Sequence, residues 1–531
     1  MQVSWLVLIP PVLVIALAFI THRVLLALAI GIVIGAAIVA NFSLYQTIAI
    51  IAHNIQAQFE LANMYTFGFL LLLGALITLM GHTGGTIAYG KLIKKRLTSA
   101  KTSETASVLL SFCFAIDDFF SILTVGSIMK PVTDSFKIPR IKLAFLIDSL
   151  AAPLIILVPV STWIAMVLMQ LEKGGVSINS ADQPLILEDP FAFYLQTIPF
   201  IFYSFIISAS VIYIVRSRSS WGLMNTHEEI AHETGNLFGG ESVPTETFKS
   251  SNTATGTLLD FIFPLASLIS FVVIAVLYLG DSKLFGGSNS LNQTMQQTDI
   301  FLALLIGCCA SFILSVLLAL ARKTLTVSGL PVLAHGGYQL MKDSIALLFL
   351  AWTFGTLLKN DLHTGDYLAQ ILIGSVSSAF LPAMFYITSL ITAVGTGSSW
   401  GTIAVLVPLA IPLVTSFTNV TTPTSIDHIV LLLPVIGAVF AGAVAGDHVS
   451  PIGTTTIMTA ASTEANLHAH IYSQLPYALP ALFATFIAYL IAGIMMPYGA
   501  LISCTVSLVS GITIAIMILM LINYLTKKRQ I

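Results

Sequence analysis

Apolar runs of near-membrane length recur along almost the whole chain, and they limit its fold more than any other feature. A helix needs about 20 apolar residues to cross a lipid bilayer. Of the 531 residues, 56% are hydrophobic and only 9% are charged, whereas a soluble domain carries about 25% charged residues. This composition excludes a soluble enzyme and a disordered chain, and the net charge of −2 offers no basic face for nucleic acid.

The apolar runs predict an all-α polytopic membrane protein, because the alternating pattern of a membrane barrel is missing from the sequence. We expect about 11 full spans and two apolar stretches that enter the bilayer without crossing it. The predicted spans are 5–20, 24–40, 65–80, 143–169, 191–215, 257–278, 300–321, 345–358, 429–445, 474–495 and 500–524. The sequence has no P-loop and no dinucleotide-binding motif, so we expect no cofactor other than transported ions such as Na⁺ and H⁺.

Basic residues predict the orientation, because cytoplasmic loops carry an excess of Lys and Arg. One basic cluster lies at 91–101 and the next at 130–142, and the apolar stretch 106–129 lies between them. A stretch that starts and ends on one side of the membrane is predicted to be a re-entrant hairpin. The same argument, carried forward, makes 368–414 a second hairpin that enters from the outside. It places the N-terminus outside and the C-terminus in the cytoplasm. We expect the protein in a plasma (bacterial inner) membrane.

Two parts of the chain are similar and are predicted to run in opposite directions. Segments 69–85 and 347–365 both end in His-Thr-Gly, and each precedes a hairpin and then a span interrupted by Pro and hydroxyl residues. Inverted repeats with broken helices are typical of secondary transporters, although single Gly or Pro residues also kink helices. The predicted units are N-terminal spans (1–64), a first repeat (65–216), a flexible cytoplasmic linker (217–256), connecting spans (257–343), a second repeat (344–473) and C-terminal spans (474–531).

Two adjacent carboxylates, Asp117 and Asp118, lie in the first predicted hairpin among Phe, Ile, Leu and Val. A carboxylate in the middle of a bilayer costs about 2.5–3.5 kcal/mol on insertion scales. Desolvation and the neighbouring like charge both disfavour the ionised form unless a cation or a proton is bound. Such a site holds either H⁺ or Na⁺, and competition for it is sufficient for proton–cation exchange. The alternative is a helix cap near the membrane interface.

A second group of candidate residues surrounds the predicted break in the second half. Asp447 is a candidate Na⁺ ligand together with Asp117 and Asp118, and the imidazole of His448 could relay a proton, sense pH or simply pack. Zinc binding by these two residues is not expected, since no further His or Cys has a suitable spacing. Asp148, one turn inside a span, is either a proton relay or the partner of a nearby lysine.

The remaining candidates offer hydroxyl groups, which coordinate Na⁺, or an aromatic ring that either lines a substrate cavity or only packs. They are Ser121, Ser161, Thr162, Thr396, Ser398, Ser399, Trp400, Ser450, Thr454 and Thr455.

These segments resemble the NhaC-type sodium/proton antiporter family, whose members are built from inverted repeats with paired hairpins. The resemblance rests on the motifs at 114–126, 148–153, 159–163, 395–402, 446–451 and 474–477. It implies cation-coupled antiport, and some members exchange organic acids or amino acids for ions. Phe119 and Ser121 stand where the family often has Tyr and Asn, and the Gly-Thr-Thr segment from Gly453 replaces Ser-Asp-Thr-Thr. The presumed site therefore has one carboxylate fewer than the resemblance implies.

Two functions remain open at this point. The first is Na⁺/H⁺ antiport with Asp117, Asp118 and Asp447 at its centre. The second is ion-coupled transport of a small organic solute. Helix N-termini at the hairpin tips suit a carboxylate, although no Arg is predicted inside a span to bind a di- or tricarboxylate.

An intramembrane enzyme is disfavoured, because Asp447 and His448 are too close in sequence to face each other. A passive channel is disfavoured as well, since buried titratable groups suit alternating access. The expected partners are the lipid bilayer, Na⁺ and H⁺, and a homodimer stays open.

Overall fold

The protein folds into a bundle of α-helices, as predicted. The computed structural model describes residues 5–529 except 22, 86–87, 89–96, 179–183, 241–255, 291–292, 295–297, 365–366, 368–369, 372–375 and 419–422. The helices are α1 (Ile9–Thr21), α2 (Val24–Val39), α3 (Leu44–Gln56), α4 (Leu61–His82), α5 (Ala100–Cys113), α6 (Asp118–Ser135), α7 (Arg140–Asp148), α8 (Ala151–Ile155), α9 (Thr162–Gly174), α10 (Pro190–Thr197), α11 (Phe202–Ser217), α12 (Gly222–Thr234), α13 (Leu259–Leu279), α14 (Ile300–Ala321), α15 (Leu330–Thr356), α16 (Leu381–Thr396), α17 (Ser399–Phe417), α18 (Leu432–Val449), α19 (Thr454–Thr463), α20 (Leu467–Met495) and α21 (Ala500–Arg529).

Several of these helices have the length and composition of membrane spans. Among the described residues, 9 helices are long and apolar enough to cross a bilayer, or up to 10 if the bent pair formed by α10 with α11 and α12 counts as one span. This confirms a polytopic membrane protein. The number is below the 11 spans expected from the sequence, because α1 and α2 are shorter helices and the predicted span 143–169 is divided into α7, α8 and α9.

The helix α15 is much longer than the span predicted at 345–358. Lys342 and Asp343 lower the local hydropathy, so the sequence argument starts the span after them, whereas the helix already begins at Leu330. α15 packs closely on α4, where a Cβ added to Gly74 would lie 2.8 Å from the carbonyl oxygen of Gly337. Asp343 therefore lies near the middle of a helix.

Two pairs of neighbouring helices form hairpins. α5 and α6 pack against each other and are joined by residues 114–117, and α16 and α17 are joined by residues 397–398. These helices cover 100–135 and 381–417, so the first hairpin is longer at both ends than the predicted 106–129. The second hairpin begins later than the predicted 368–414, whose first residues lie largely outside the described part of the chain.

Both ends of the first hairpin lie at the same end of the bundle. Lys101, near the start of α5, donates a hydrogen bond of 3.1 Å to the carbonyl oxygen of Arg216 at the end of α11. Asp134, near the end of α6, pairs at 2.8 Å with Arg140 at the start of α7. We name this side of the molecule the Arg140 end.

The second hairpin begins and ends at the opposite side of the bundle. α20 starts shortly after Glu464, which pairs with Arg140 at 3.7 Å, and its 29 residues extend for about 44 Å. Near the far end of α20, Gly493 packs against Ala379, which precedes α16. The two hairpins therefore enter the bundle from opposite ends. The equivalence of the two halves as an inverted repeat, and the boundaries of the units, stay predictions.

The segment for which the sequence predicts a flexible linker contains an ordered helix, α12, and residues 241–255 of it are outside the described part. The ring of Trp221, just before α12, stacks on Tyr477 at a centroid distance of 3.7 Å. The buried ammonium of Lys142 pairs with Glu104 of α5 at 3.0 Å and also with Glu228 of α12. The helix α12 is thus docked against the Arg140 end of the bundle.

Candidate ion- and substrate-binding cavity

Four interruptions of the helices meet in the middle of the molecule. They are the hairpin turns at 114–117 and 397–398, the break at 156–161 between α8 and α9, and the break at 450–453 between α18 and α19. In the first half, the backbone N–H of Thr162 donates to the carbonyl oxygen of Ile116 at 3.0 Å. In the second half, the hydroxyl of Ser450 donates to the carbonyl oxygen of Val394 at 2.8 Å. Each hairpin tip is therefore held against the broken helix of its own half.

The tip of the second hairpin is closed by a glycine for a specific reason. Gly397 has φ +62, in the left-handed region that favours glycine, and a Cβ added there would lie 2.6 Å from the carbonyl oxygen of Ile452. No side chain fits between the hairpin tip and the break at 450–453. Substitution of this residue would push the two segments apart.

Residues in or next to all four interruptions line one cavity of about 470 Å³. The structure brings together in its wall most of the residues that the sequence identifies. The candidates in the wall are Asp117, Asp118, Thr162, Ser398, Ser399, Trp400, Asp447, Thr454 and Thr455. The ring of Trp400 packs edge-on against Trp163 at a centroid distance of 6.0 Å.

The adjacent carboxylates Asp117 and Asp118 lie at the tip of the first hairpin and are only 3% and 7% exposed. Asp117 is the N-cap of α6 and accepts a hydrogen bond of 2.8 Å from the backbone N–H of Phe120. Asp118 accepts one of 3.1 Å from the N–H of Phe119. The alternative reading as a helix cap is thus correct for Asp117, but the cap faces the cavity and not an end of the bundle.

Asp447 connects the second hairpin to α18. Its Oδ2 atom accepts a hydrogen bond of 3.0 Å from the hydroxyl of Ser399, which also lies 3.2 Å from the carbonyl oxygen of Ala443. Its other carboxylate oxygen, Oδ1, has no hydrogen-bond partner among the described residues. This carboxylate, only 4% exposed, faces both the cavity and the break at 450–453.

Four helices, α6, α9, α17 and α19, begin at the cavity wall. The N-terminus of a helix carries a partial positive charge of about half a unit, which stabilises nearby anions. The N-caps of α9 and α19, Ser161 and Gly453, have no side-chain hydrogen bond to the helix. These helix ends stabilise the three carboxylates and also leave room for an anionic group of a ligand.

His448 does not line the cavity. Its Nε2 lies 3.1 Å from the hydroxyl of Ser149 and its Nδ1 lies 2.6 Å from that of Tyr203, so both ring nitrogens have partners. The side chain is 1% exposed. This geometry is that of the packing alternative, although a hydrogen-bonded imidazole can still pass a proton.

Asp148 is also buried away from the cavity. Its Oδ2 lies 3.3 Å from Nε2 of His470 and accepts a hydrogen bond of 2.9 Å from the amide of Gln474. The suggestion that Asp148 pairs with a nearby lysine is wrong, because Lys142 pairs with Glu104 and Glu228. Sequence reasoning missed His470 because it is 322 residues away along the chain.

Four predicted coordinating residues lie beside the cavity and not in its wall. Ser450 and Thr396 bond backbone carbonyl oxygens, and Ser161 contacts the carbonyl oxygen of Ile155 at 3.4 Å. The buried hydroxyl of Ser121 has no partner within the part of the chain that the structure describes. The first three therefore hold backbone at the helix breaks.

Two charged residues in the cavity wall, Arg23 and Asp343, are not among the candidate site residues predicted from the sequence. Arg23 lies between the short helices α1 and α2, and Asp343 lies in α15. Arg23 is an exposed residue at the edge of the cavity, so it contributes an arginine to the wall without being embedded in a span. A signal was present, since 5–20 and 24–40 are each shorter than the roughly 20 residues of a span, and Arg23 lies between them.

The family model for the Na⁺/H⁺ antiporter family matches residues 176–494. An uncharacterized protein of Haemophilus influenzae is 31% identical over 502 residues, which are 91% of this chain and 90% of that protein. The chain belongs to the Na⁺/H⁺ antiporter family. A malate-2H⁺/Na⁺-lactate antiporter of Bacillus subtilis is 31% identical over 125 residues, 23% of each protein.

Two solved transporters have the same fold as this antiporter-family member. The Alcanivorax borkumensis YdaH transporter has a TM-score of 0.50 and 13% identity, covering 85% of this chain and 88% of its own. Neisseria gonorrhoeae MtrF, described as illuminating a class of antimetabolite efflux pumps, has a TM-score of 0.51 and 14% identity, with 84% of each chain covered. The protein is a multi-pass membrane protein and a secondary active transporter.

Proposed function

We propose that this protein exchanges Na⁺ for H⁺ by competition of the two ions for the carboxylates of Asp117, Asp118 and Asp447. One observation carries the proposal: the three carboxylates, which come from both halves of the chain, share the wall of a single cavity. Each is at most 7% exposed, so bulk water does not neutralise the repulsion between them.

The competition follows from electrostatics. Three close carboxylates cannot all stay ionised without a counter-charge, so either a proton or a Na⁺ must be bound. The positive helix ends at the cavity lower the free-energy cost of keeping the buried carboxylates ionised. They are fixed parts of the protein, however, and cannot replace the transported ion. Binding of one ion removes the negative charge that attracts the other. Exchange results when the cavity opens in turn to the two sides of the membrane.

We propose further that the Arg140 end faces the cytoplasm of a plasma membrane. Among the described residues, seven basic ones belong to segments at this end, while Lys173 lies in the last turn of α9, towards the other side. Cytoplasmic loops carry the excess of basic residues. The seven are Lys101, Lys130, Lys137, Arg140, Lys142, Arg216 and Arg218.

A second candidate function is ion-coupled transport of a small organic carboxylate, which the size and polarity of the cavity favour. A volume of about 470 Å³ lies within the range of about 300–1,000 Å³ that small-molecule sites occupy. It is much larger than the roughly 30 Å³ of a water molecule. Arg23 and the exposed helix N-termini supply positive charge for a carboxylate. The relative from Bacillus subtilis is named as an antiporter of such acids.

The test is a flux assay on the full-length protein in proteoliposomes that contain a pH-sensitive dye. Na⁺, Li⁺ or K⁺ is added outside, alone and then with malate, lactate or single amino acids inside. Proton efflux driven by Na⁺ alone supports Na⁺/H⁺ antiport. Efflux that requires an organic acid supports the second function, and no ion-driven proton flux under any condition contradicts both.

Replacement of Arg23 by Gln separates the two functions. If a carboxylate is transported, we expect the KM for that solute to rise about tenfold or more, since a hydrogen bond to a charged group contributes about 1.5–3 kcal/mol. Flux driven by Na⁺ alone should stay within about twofold. Arg23 is exposed and does not bind Na⁺, and substitution of an exposed residue usually changes the free energy by less than about 0.5 kcal/mol. The matched control is Arg216→Gln, an exposed arginine at the Arg140 end. An unchanged KM for Arg23→Gln would exclude Arg23 from solute binding.

A further inference from the structure

Three oxygen atoms converge on one point beside Gly453, at the break between α18 and α19. A Cβ atom added to Gly453 would lie 2.6 Å from the carbonyl oxygen of Asp447, 3.0 Å from its Oδ1 and 3.2 Å from Oγ1 of Thr456. The oxygens come from the end of one helix and the start of the next. We name this group of oxygens the Gly453 cradle.

Gly453 is required for space and not for its backbone conformation. Its φ of −58 and ψ of 132 are accessible to every residue type. A methyl group at this position would occupy the point on which the three oxygens converge. The absence of a side chain at Gly453 is therefore what leaves the cradle open.

Two of the three oxygens are buried and lack a hydrogen bond. Asp447 is 4% exposed and Thr456 is 1% exposed. Neither Oδ1 of Asp447 nor Oγ1 of Thr456 has a hydrogen-bond partner among the residues that the structure describes. A buried polar atom that stays unpaired costs about 1–3 kcal/mol, and more if it is charged. A ligand that interacts with oxygen atoms would therefore be stabilised in the Gly453 cradle.

The chemistry of the cradle favours a cation. Carboxylate, backbone carbonyl and hydroxyl oxygens are the ligands that hard cations take, at about 2.3–2.6 Å for an ion such as Ca²⁺. The C-terminal end of α18 adds partial negative charge. The N-terminus of α19 opposes a cation with about half a unit of charge, which the full charge of the carboxylate outweighs. Ser399 already occupies Oδ2 of Asp447, so Oδ1 is the oxygen left for the cradle.

We propose that Asp447 and Thr456 bind a Na⁺ ion in the Gly453 cradle, next to the cavity but outside its wall. Thr456 does not line the cavity, whereas Asp447 belongs to both. Ser399 connects the shared carboxylate to the tip of the second hairpin. Na⁺ in the cradle thus neutralises Asp447 and leaves the cavity free for a second ligand. This inference rests on the proposed use of Na⁺ and adds a site for it.

The test measures binding of radioactive Na⁺ to the purified full-length protein in nanodiscs. We expect Thr456→Val, which removes the hydroxyl and keeps the shape, to raise the Kd for Na⁺ at least tenfold. Gly453→Ala should do the same by filling the cradle, and Thr456→Ser should keep nearly normal affinity. The matched control is Thr463→Val, a buried threonine of the same helix whose hydroxyl bonds the carbonyl oxygen of Thr459. Thermal unfolding of each variant checks that it is folded, and if Thr456→Val is not, Gly453→Ala decides.

The outcomes separate this inference from the proposed function. Wild-type protein that binds Na⁺, together with Thr456→Val and Gly453→Ala proteins of unchanged affinity, would overturn the cradle and leave Na⁺/H⁺ exchange standing. Wild-type protein that binds no Na⁺ would overturn both. Equal loss of affinity in Thr463→Val would show that the effect is general to α19 and would also overturn the cradle.

Discussion

Replacement of Asp118 by Asn is expected to lower Na⁺-driven proton exchange by on the order of 100-fold. The asparagine side chain cannot form the ion pair with Na⁺, and loss of one member of a desolvated ion pair costs about 2–5 kcal/mol. Asp118 is buried in the cavity wall beside Asp117. The measurement is the initial rate of internal pH change in proteoliposomes after addition of Na⁺. The same loss is expected for Asp117→Asn.

The choice of asparagine keeps the fold intact. Asp117 caps α6, and Asn is about as good an N-cap as Asp, so the helix start is preserved while the charge is removed. The matched control is Asp299→Asn, since Asp299 caps α14 in the same way and lies outside the cavity wall. Full exchange activity in Asp118→Asn protein would remove this carboxylate from the mechanism.

The second large effect is expected for stability and comes from the docking of α12. Lys142 is 3% exposed and pairs with the 1% exposed Glu104 and with Glu228. Replacement of Lys142 by Met leaves two carboxylates close together without their shared cation. Loss of one partner of a buried ion pair costs about 3–5 kcal/mol, so the unfolding temperature in detergent should fall clearly.

Two further variants make this result interpretable. Lys137→Met removes an exposed lysine at the same end, whose ammonium bonds the carbonyl oxygen of His232, and it should change stability by less than about 0.5 kcal/mol.

Arg218 also lies 3.4 Å from Glu104, so Glu104 keeps one partly exposed partner when Lys142 is removed. The double variant with Lys142→Met and Glu104→Gln should recover part of the loss, because it removes the repulsion between Glu104 and Glu228. If Lys142→Met unfolds at the same temperature as Lys137→Met, the buried pairing does not stabilise the Arg140 end.

The parts of the fold that depend on charge and hydropathy along the chain were predictable. The basic clusters on both sides of 106–129 indicate that this stretch turns back, and α5 and α6 do form a hairpin whose ends lie together. Carboxylates such as Asp117 and Asp447 stand out because they are costly in an apolar run. The cavity wall contains both of them.

The parts that depend on contacts between distant segments were not predictable. The partner of Asp148 is His470, and the oxygens of the Gly453 cradle are brought together only by the geometry of one break. The start of α15 was placed too late because hydropathy penalises Lys342 and Asp343, even though α15 carries both residues and Asp343 lies in the cavity wall.

The central claim is that Na⁺ and H⁺ compete for the same carboxylates, and the pH dependence of Na⁺ affinity tests it most directly. The apparent affinity for Na⁺ is measured from initial exchange rates in proteoliposomes over a series of pH values. Competition predicts that, on the acidic side, each tenfold increase in proton concentration raises the apparent KM for Na⁺ about tenfold, while the maximal rate at saturating Na⁺ stays constant. An apparent KM that does not change with pH, with only the maximal rate affected, would contradict the account.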